Sequence, residues 1–247
     1  MPLFLTVGAN EVAYEYTPGA APGVVFLGGF KSDMQGTKAL ALEAWARAQG
    51  RAFLRMDYSG HGGSGGDFED GTIGQWRDDA AAVIAHATAG PQVIVGSSMG
   101  GWIALLLARD GTVPVAGLVT VAAAPDFTED GYWAAFDEDQ RIALVERGRV
   151  EIPSEYGAPY VITKRLIEDG RRNLVLRTPL DLPFPVRMLQ GTADTAVPAH
   201  WATRLLDHAT GDDVILALVK GADHRFSGPD QIALLESSVA DVLTRIR

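Results

Sequence analysis

One short segment, Gly96–Gly100, carries the strongest chemical signal in the sequence. Its residues are Gly-Ser-Ser-Met-Gly, and they directly follow the apolar run Gln92–Val95. A Gly-x-Ser-x-Gly pattern between a strand and a helix is typical of a tight turn that exposes the serine hydroxyl, and glycines on both sides suit a crowded turn. The pattern therefore predicts Ser98 as a nucleophile that attacks an acyl carbon. Ser97 is the competing hydroxyl, but it would place Val95 where the turn needs a small residue.

A serine nucleophile needs a base, which is usually a histidine oriented by a carboxylate. In chains with a serine on a turn of this kind, the acid and then the histidine follow the serine. His61 precedes Ser98, so its position in the chain is wrong for the base. Three more histidines fall in or beside predicted helices: His86, His200 and His208. His224 alone follows a late predicted strand, which predicts it as the general base.

Two aspartates could orient that histidine. Asp194 comes just after a predicted strand, in the context Gly-x-x-Asp-x-x-Val-Pro, and it precedes His224. Asp126 follows the preceding predicted strand, but an aspartate there also suits a helix cap at the start of the next segment. Asp194 is the preferred acid, with Asp126 as the alternative.

Attack on an acyl carbon creates an oxyanion, which needs preorganised hydrogen-bond donors. One expected donor is the backbone N–H of Met99, the residue after the nucleophile. The other is the backbone N–H of Phe30, in the glycine-containing loop 28–33 that follows the third predicted strand. The Phe30 side chain would then be free to line the pocket.

Strands and helices alternate along most of the chain. Predicted strands cover residues 3–7, 12–16, 23–27, 51–58, 92–95, 115–122, 186–189 and 214–219, and predicted helices cover 37–49, 74–87, 99–108 and 231–243. This alternation predicts one α/β domain, residues 1–247, with a mostly parallel sheet covered by helices on both faces. Ligands bind such sheets at the carboxyl ends of the strands, where Ser98, Asp194, His224 and the loop 28–33 all fall.

The segment 124–183 interrupts the alternation and shows no clear strand. We expect a mostly helical insertion that lies over the strand ends as a cap, although a pair of ordinary packing helices is the alternative. Its aromatic residues could line an apolar slot together with Trp102 of the preceding helix. These aromatic residues are Tyr132, Trp133, Phe136, Tyr156 and Tyr160.

Composition excludes several classes of function. The chain has 31 acidic and 21 basic residues, a net charge of -10, which argues against a nucleic-acid partner. It has no cysteine, so disulfides and thiolate metal sites are excluded, and no cofactor or metal is predicted. The N-terminus lacks the features of a signal peptide, and no apolar run approaches the ~20 residues that span a bilayer. These absences predict a cytoplasmic protein without a membrane span.

Four segments, residues 29–39, 57–60, 74–77 and 95–102, are similar to the α/β-hydrolase superfamily, in particular to its mitochondrial palmitoyl-protein thioesterase and acyl-glucuronide esterase branch. The resemblance extends over nearly the whole chain. It implies an α/β-hydrolase fold and a triad of Ser98, Asp194 and His224. For a glucuronide substrate it implies a cationic contact to the sugar acid, for which the insertion offers Arg165, Arg171 and Arg172. Gly28 replaces a proline of the relatives. No mitochondrial targeting segment is recognised, which favours a bacterial or cytosolic counterpart with a different natural substrate.

The sequence thus predicts a serine hydrolase that cleaves carboxylic esters or thioesters through an acyl-enzyme. The expected substrate is a small acyl ester or thioester, or an acylated protein. The alternatives are another bond type cleaved by the same triad (an amide, a carbon–carbon bond or perhydrolysis) and a ligand receptor without catalysis. The sequence does not predict the oligomeric state.

Overall fold

An eight-stranded sheet forms the centre of the computed structural model, which describes residues 1–153 and 159–246. The strands are β1 Leu3–Val7, β2 Asn10–Thr17, β3 Ala20–Leu27, β4 Arg51–Met56, β5 Gln92–Ser97, β6 Val115–Val121, β9 Val186–Gly191 and β10 Val214–Val219. Their order is β1-β2-β4-β3-β5-β6-β9-β10. The pairs β1–β2 and β2–β4 are antiparallel, and every neighbouring pair from β4 to β10 in this order is parallel. The predicted mostly parallel sheet is therefore confirmed.

Helices cover both faces of the sheet. They are α1 Thr37–Ala48, α2 Ile73–Ala87, α3 Met99–Asp110, α4 Glu138–Arg147, α5 Lys164–Arg172, α6 Ala199–His208 and α7 Pro229–Arg245. Apolar side chains of α1 and α7 form one core with the sheet, and those of α2 and α3 form the other. Because α3 is apolar nearly throughout, it is buried along most of its length, as the sequence predicted. No helix of the described residues has the length and hydropathy needed to cross a membrane.

The segment between β6 and β9 differs from the prediction, because it contains two strands. It comprises a π-helical turn, Phe127–Trp133, then α4, the strands β7 Arg149–Ile152 and β8 Tyr160–Thr163, and α5. The two strands pair antiparallel as a separate small sheet. At four residues each they are too short for an alternating pattern to stand out. Tyr156 lies outside the described residues.

Buried contacts attach this segment to the main domain near its C-terminal end. The Asp169 carboxylate accepts the N–H of Gly74 at the start of α2, with an N–O distance of 2.7 Å. The indole N–H of Trp102, which is fully buried in α3, donates to the Asn173 carbonyl at 3.0 Å. Both contacts fix α5 and the residues after it against α2 and α3.

Two exposed ion pairs also join the segment to the main domain. Arg149 in β7 pairs with Glu69 at 3.2 Å, and Arg165 in α5 pairs with Asp70 at 3.5 Å. All four side chains are exposed. Exposed ion pairs of this kind contribute little to stability, about 0–1 kcal/mol each.

Arg55, in β4, is a buried cation that connects three parts of the fold. Its side chain is 5% exposed and pairs with Glu43 of α1 at 2.9 Å and with Glu15 of β2 at 2.7 Å. It also donates to the carbonyl of Met34, in the loop between β3 and α1, at 3.0 Å. Strand β2, the first helix and this loop are therefore all held by the Arg55 side chain.

We expect Arg55→Met to lower the free energy of unfolding by about 3 kcal/mol, because removing one partner leaves two carboxylates poorly solvated. Urea denaturation would measure the change. Arg47→Met is the matched control, since Arg47 pairs with the same Glu43 but its side chain is 67% exposed, and it should cost ~0.5 kcal/mol. Equal losses in the two variants would contradict this account of Arg55.

Candidate active site

The turn between β5 and α3 holds Ser98 in a strained conformation. Ser98 has φ 55° and ψ −118°, values that serine rarely adopts. A Cβ on Gly96 would lie 2.4 Å from the carbonyl oxygen of Gly100, and a Cβ on Gly100 would lie 2.1 Å from that of Leu27. The turn is therefore as crowded as the sequence predicted, and neither glycine can be replaced without moving backbone.

Ser98, His224 and Asp194 lie within hydrogen-bonding distance of one another. The Ser98 Oγ is 3.2 Å from Nε2 of His224, and Nδ1 of His224 is 2.8 Å from Oδ2 of Asp194. The three residues follow β5, β10 and β9, whose parallel carboxyl ends lie on one edge of the sheet. The Asp194 side chain is fully buried, while that of His224 is 21% exposed.

Asp194 is held by several donors besides His224. Its Oδ1 accepts the N–H groups of Ala196 at 3.0 Å and Val197 at 2.7 Å, and its Oδ2 accepts from Nε2 of Gln190 at 3.1 Å. Burial by itself would raise the pKa of Asp194, but the hydrogen bonds from His224, Val197 and Gln190 outweigh it and lower the pKa. The carboxylate is therefore ionised at neutral pH and can stabilise a positive charge on His224.

Asp126, the alternative acid, has different partners. Its fully buried carboxylate accepts the N–H groups of Val175 at 2.8 Å and Leu176 at 3.0 Å, and it pairs with Arg177 at 3.1 Å. Burial raises its pKa, against the effect of these donors. It makes no side-chain cap to the helical turn that follows it, so the helix-cap interpretation is wrong. Asp126 instead fastens the chain before β9 to the chain after β6.

The remaining histidines lie elsewhere. His86 and His200 are exposed on α2 and α6, and Nδ1 of His208 is 2.9 Å from the Arg204 carbonyl within α6. His61 is buried at 3% exposure and contacts the loop between β3 and α1. Sequence reasoning dismissed His61 on chain order alone and therefore missed this contact.

The loop after β3 passes directly beside Ser98. A Cβ on Gly29 would lie 3.3 Å from the Ser98 Cβ, which places the following residue, Phe30, next to the nucleophile. Met99 is the first residue of α3, where N–H groups have no acceptor within the helix. Phe30 and Met99 both line the cavity above Ser98. These positions agree with the two predicted oxyanion donors, whose role remains a prediction.

A cavity of about 760 Å³ opens above Ser98. Its lining includes Phe30, Lys31, Asp33, Lys38, Ser97, Phe127, Tyr132, Tyr160, Val197, Trp201, His224 and Arg225. One side is aromatic and comes mainly from the segment between β6 and β9, while the other is polar and comes from the start of α1 and the loop after β10. Among the described residues, no three His, Asp or Glu side chains gather as metal ligands would.

The aromatic side of the cavity is built around Phe30. Its ring packs edge-on against the rings of Phe127 at 5.7 Å, Tyr132 at 6.3 Å and Tyr160 at 5.7 Å. Two of the aromatic residues predicted in the insertion, Tyr132 and Tyr160, therefore contribute to the cavity. Trp102 does not, because it is buried in the core.

The polar side carries a cation that the sequence did not indicate. Lys38, in the first turn of α1, donates to the carbonyl of Arg225, the residue after His224. Burial lowers the pKa of Lys38 to about 8, an effect opposed by Asp223 and reinforced by Arg225.

The arginines predicted to contact a sugar acid are placed differently. Arg165 pairs with Asp70, Arg171 with Glu129, and Arg172 with Asp169. None of the three lies among the residues that line the cavity above Ser98. That prediction is wrong, because it rested on composition and composition does not give the direction of a side chain.

Relatives of known name and structure match nearly the whole chain. Palmitoyl-protein thioesterase ABHD10, mitochondrial, from Bos taurus is 35% identical over 241 residues, covering 96% of this chain and 78% of that protein. The crystal structure of a putative hydrolase from Agrobacterium vitis S4 superimposes with a TM-score of 0.92 at 39% identity, over 100% of this chain and 98% of that one. Alpha/beta hydrolase domain-containing protein 10 from mouse superimposes with a TM-score of 0.92 at 31% identity, over 100% of both chains. The predictions of an α/β-hydrolase fold and of an ester or thioester hydrolase are confirmed.

The predicted cytoplasmic location is wrong. The finding that overturns it is that the relatives from Bos taurus, Rattus norvegicus, Pongo abelii, Homo sapiens and Mus musculus are all named as mitochondrial proteins. The prediction rested on the absence of a recognisable targeting signal, and such an absence is weak support for any location.

We expect Asp194→Asn to lower kcat by roughly 10⁴-fold with little change in melting temperature, because asparagine favours the wrong histidine tautomer. Asp126→Asn should do the opposite, keeping kcat close to wild type while lowering stability by about 2 kcal/mol through lost backbone contacts. Steady-state kinetics and thermal unfolding of both variants would check this. A large loss of kcat in Asp126→Asn alone would reverse the two roles.

A family model supports the same relationship. The Hydrolase_4 model, described as serine aminopeptidase, S33, matches residues 20–143, from β3 through the first half of α4. The matched region includes the Ser98 turn and the loop after β3. Together with the relatives above, this match shows that the chain belongs to the Hydrolase_4 family of α/β-hydrolases.

Proposed function

We propose that Ser98, His224 and Asp194 form the catalytic triad of a hydrolase acting on acyl esters and thioesters. The observation that carries the proposal is the continuous chain of contacts from the Ser98 Oγ through His224 to Asp194. The Ser98 hydroxyl also lies at the base of the cavity, where a substrate carbonyl can reach it.

In the first step the Ser98 Oγ attacks the acyl carbon while Nε2 of His224 takes its proton. The positive charge on the imidazole ring is stabilised by Asp194, whose lowered pKa keeps it ionised. His224 then returns the proton to the leaving group, an alcohol or a thiol. Water, activated by the same histidine, releases the acid from the acyl-enzyme.

The oxyanion of each tetrahedral intermediate would accept hydrogen bonds from the N–H groups of Phe30 and Met99. Both groups belong to backbone held close to Ser98, so they need little reorganisation as charge develops. The Met99 amide also lies at the N-terminus of α3, where the helix dipole favours negative charge.

The substrate class proposed is an acyl thioester or ester with an apolar acyl group, by analogy with the relatives named as palmitoyl-protein thioesterases. The aromatic side of the cavity would receive the acyl group, and the polar side near Lys38 the leaving group. An acylated protein is included by the same analogy. In this proposal the chain is a single domain, and residues 124–183 act as its cap.

We expect Ser98→Ala to lose labelling by a fluorophosphonate probe and to lower kcat by about 10⁴-fold or more, because the nucleophile is gone. Ser97→Ala is the matched control, since it removes the neighbouring hydroxyl and should still be labelled. Gel fluorescence and mass spectrometry of the labelled peptide would check both variants. Labelling of Ser98→Ala at the wild-type rate would exclude Ser98 as nucleophile.

A substrate panel separates bond types. We expect p-nitrophenyl esters and acyl thioesters of C4 to C16 acids to be hydrolysed, and p-nitroanilides of the same acids to be turned over far more slowly. Anilide turnover at the rate of the esters would favour amide hydrolysis, the reaction of a serine aminopeptidase. Negligible turnover of the whole panel, with retained fluorophosphonate labelling, would contradict the proposed substrate class.

A further inference from the structure

The loop after β3 makes a four-residue turn that carries the Phe30 amide. Ser32 donates to the Gly29 carbonyl through its N–H at 3.1 Å and through its Oγ at 2.7 Å. Lys31, the third residue of the turn, has φ 57°. This conformation belongs to a type II turn, in which the third residue is usually glycine. A lysine in this conformation requires a contact from outside the turn to hold it.

His61 supplies that contact. Its Nε2 lies 3.3 Å from the Lys31 nitrogen and accepts the Lys31 N–H. Its Nδ1 lies 3.2 Å from the Ser59 carbonyl, which can only accept. Because a backbone N–H can only donate and a carbonyl can only accept, the proton of His61 must be on Nδ1. The lone pair of Nε2 is thereby directed at the peptide between Phe30 and Lys31.

The imidazole ring of His61 cannot easily move. It packs edge-on against the rings of Tyr58 at 5.5 Å, Phe68 at 5.0 Å and Trp76 at 5.0 Å. The Trp76 indole also donates to the Ser59 carbonyl at 3.0 Å. Burial lowers the pKa of His61 to about 4. The hydrogen bond with the Ser59 carbonyl opposes this shift, and the charge of Lys31 adds to it. The ring is therefore neutral at neutral pH.

We propose that His61 is a positioning residue for the oxyanion site, because its bond to the Lys31 N–H fixes the turn and holds the Phe30 N–H against Ser98. The inference rests on the proposed function, since it requires an oxyanion to form at Ser98. Without this bond the 30–31 peptide can rotate towards the conformation that lysine prefers. The turn from Gly29 to Ser32 is then no longer held in one conformation, and the adjoining 29–30 peptide, which carries the Phe30 N–H, loses its fixed position beside Ser98.

Two substitutions separate the contacts of His61. His61→Asn keeps a donor near the Nδ1 position for the Ser59 carbonyl but removes the acceptor that faces Lys31. His61→Gln extends an amide oxygen to the Nε2 position and restores that acceptor. We expect His61→Asn to lower kcat by about 10- to 100-fold with KM little changed, and His61→Gln to recover most of the loss. His86→Asn, the same change at an exposed position of α2, is the control and should match wild type.

An alkyl boronic acid that adds to Ser98 mimics the tetrahedral intermediate, and its affinity should fall by the same factor as kcat. Nitrogen NMR of the wild-type protein should show His61 protonated on Nδ1, a measurement that needs no variant to fold. The proposal is overturned if His61→Asn keeps wild-type kcat and boronate affinity, if His61→Gln is the more impaired variant, or if the Nε2–H tautomer is found. Failure of the proposed function would appear instead as turnover that survives Ser98→Ala.

Discussion

The close approach of α3 to the end of β3 is the constraint on which the site depends. It is possible only because Gly100 has no side chain, since a Cβ there would lie 2.1 Å from the Leu27 carbonyl oxygen. The same approach forces the sharp turn at Ser98, whose φ of 55° costs of order 1–3 kcal/mol. The burial of β5 and α3 in the two cores compensates for this strain. The packing of β5 and α3 thus stabilises the strained Ser98 backbone that directs its hydroxyl into the cavity.

Buried carboxylates organise the loops at this edge of the sheet. Asp57 accepts the N–H groups of Met34 at 2.6 Å and Gly63 at 2.8 Å, Asp126 accepts two from the chain before β9, and Asp194 accepts two from its own turn. At Asp57 and Asp126 the effect of burial exceeds that of the hydrogen bonds, so the pKa of each is raised. At Asp194 the additional bond from His224 helps to lower the pKa. A buried carboxylate that accepts backbone N–H groups therefore stabilises loops at Asp57 and Asp126, and at Asp194 it also orients a histidine.

Sequence reasoning succeeded where a local pattern determines a local structure. The glycine–serine turn, the strand ends and the chain order were enough to select Ser98, Asp194 and His224, which the structure brings together. The strands β7 and β8 were missed because four residues give almost no periodic signal. The contact of His61 with Lys31 joins positions 30 residues apart, and no local pattern encodes such a pairing. The direction of an arginine side chain is likewise a property of packing.

The insertion is attached to the main domain by two kinds of contact, which differ in the free energy needed to separate them. Its inner end is fastened by the hydrogen bonds of Asp169 with Gly74 and of Trp102 with Asn173, which would both have to break for the insertion to lift as one body. The ion pairs of Arg149 in β7 with Glu69 and of Arg165 in α5 with Asp70 are exposed, and they separate at little cost. Tyr160 of β8, however, packs on the ring of Phe30 at 5.7 Å, so a displacement of the outer strands would be transmitted to the loop that carries the Phe30 amide.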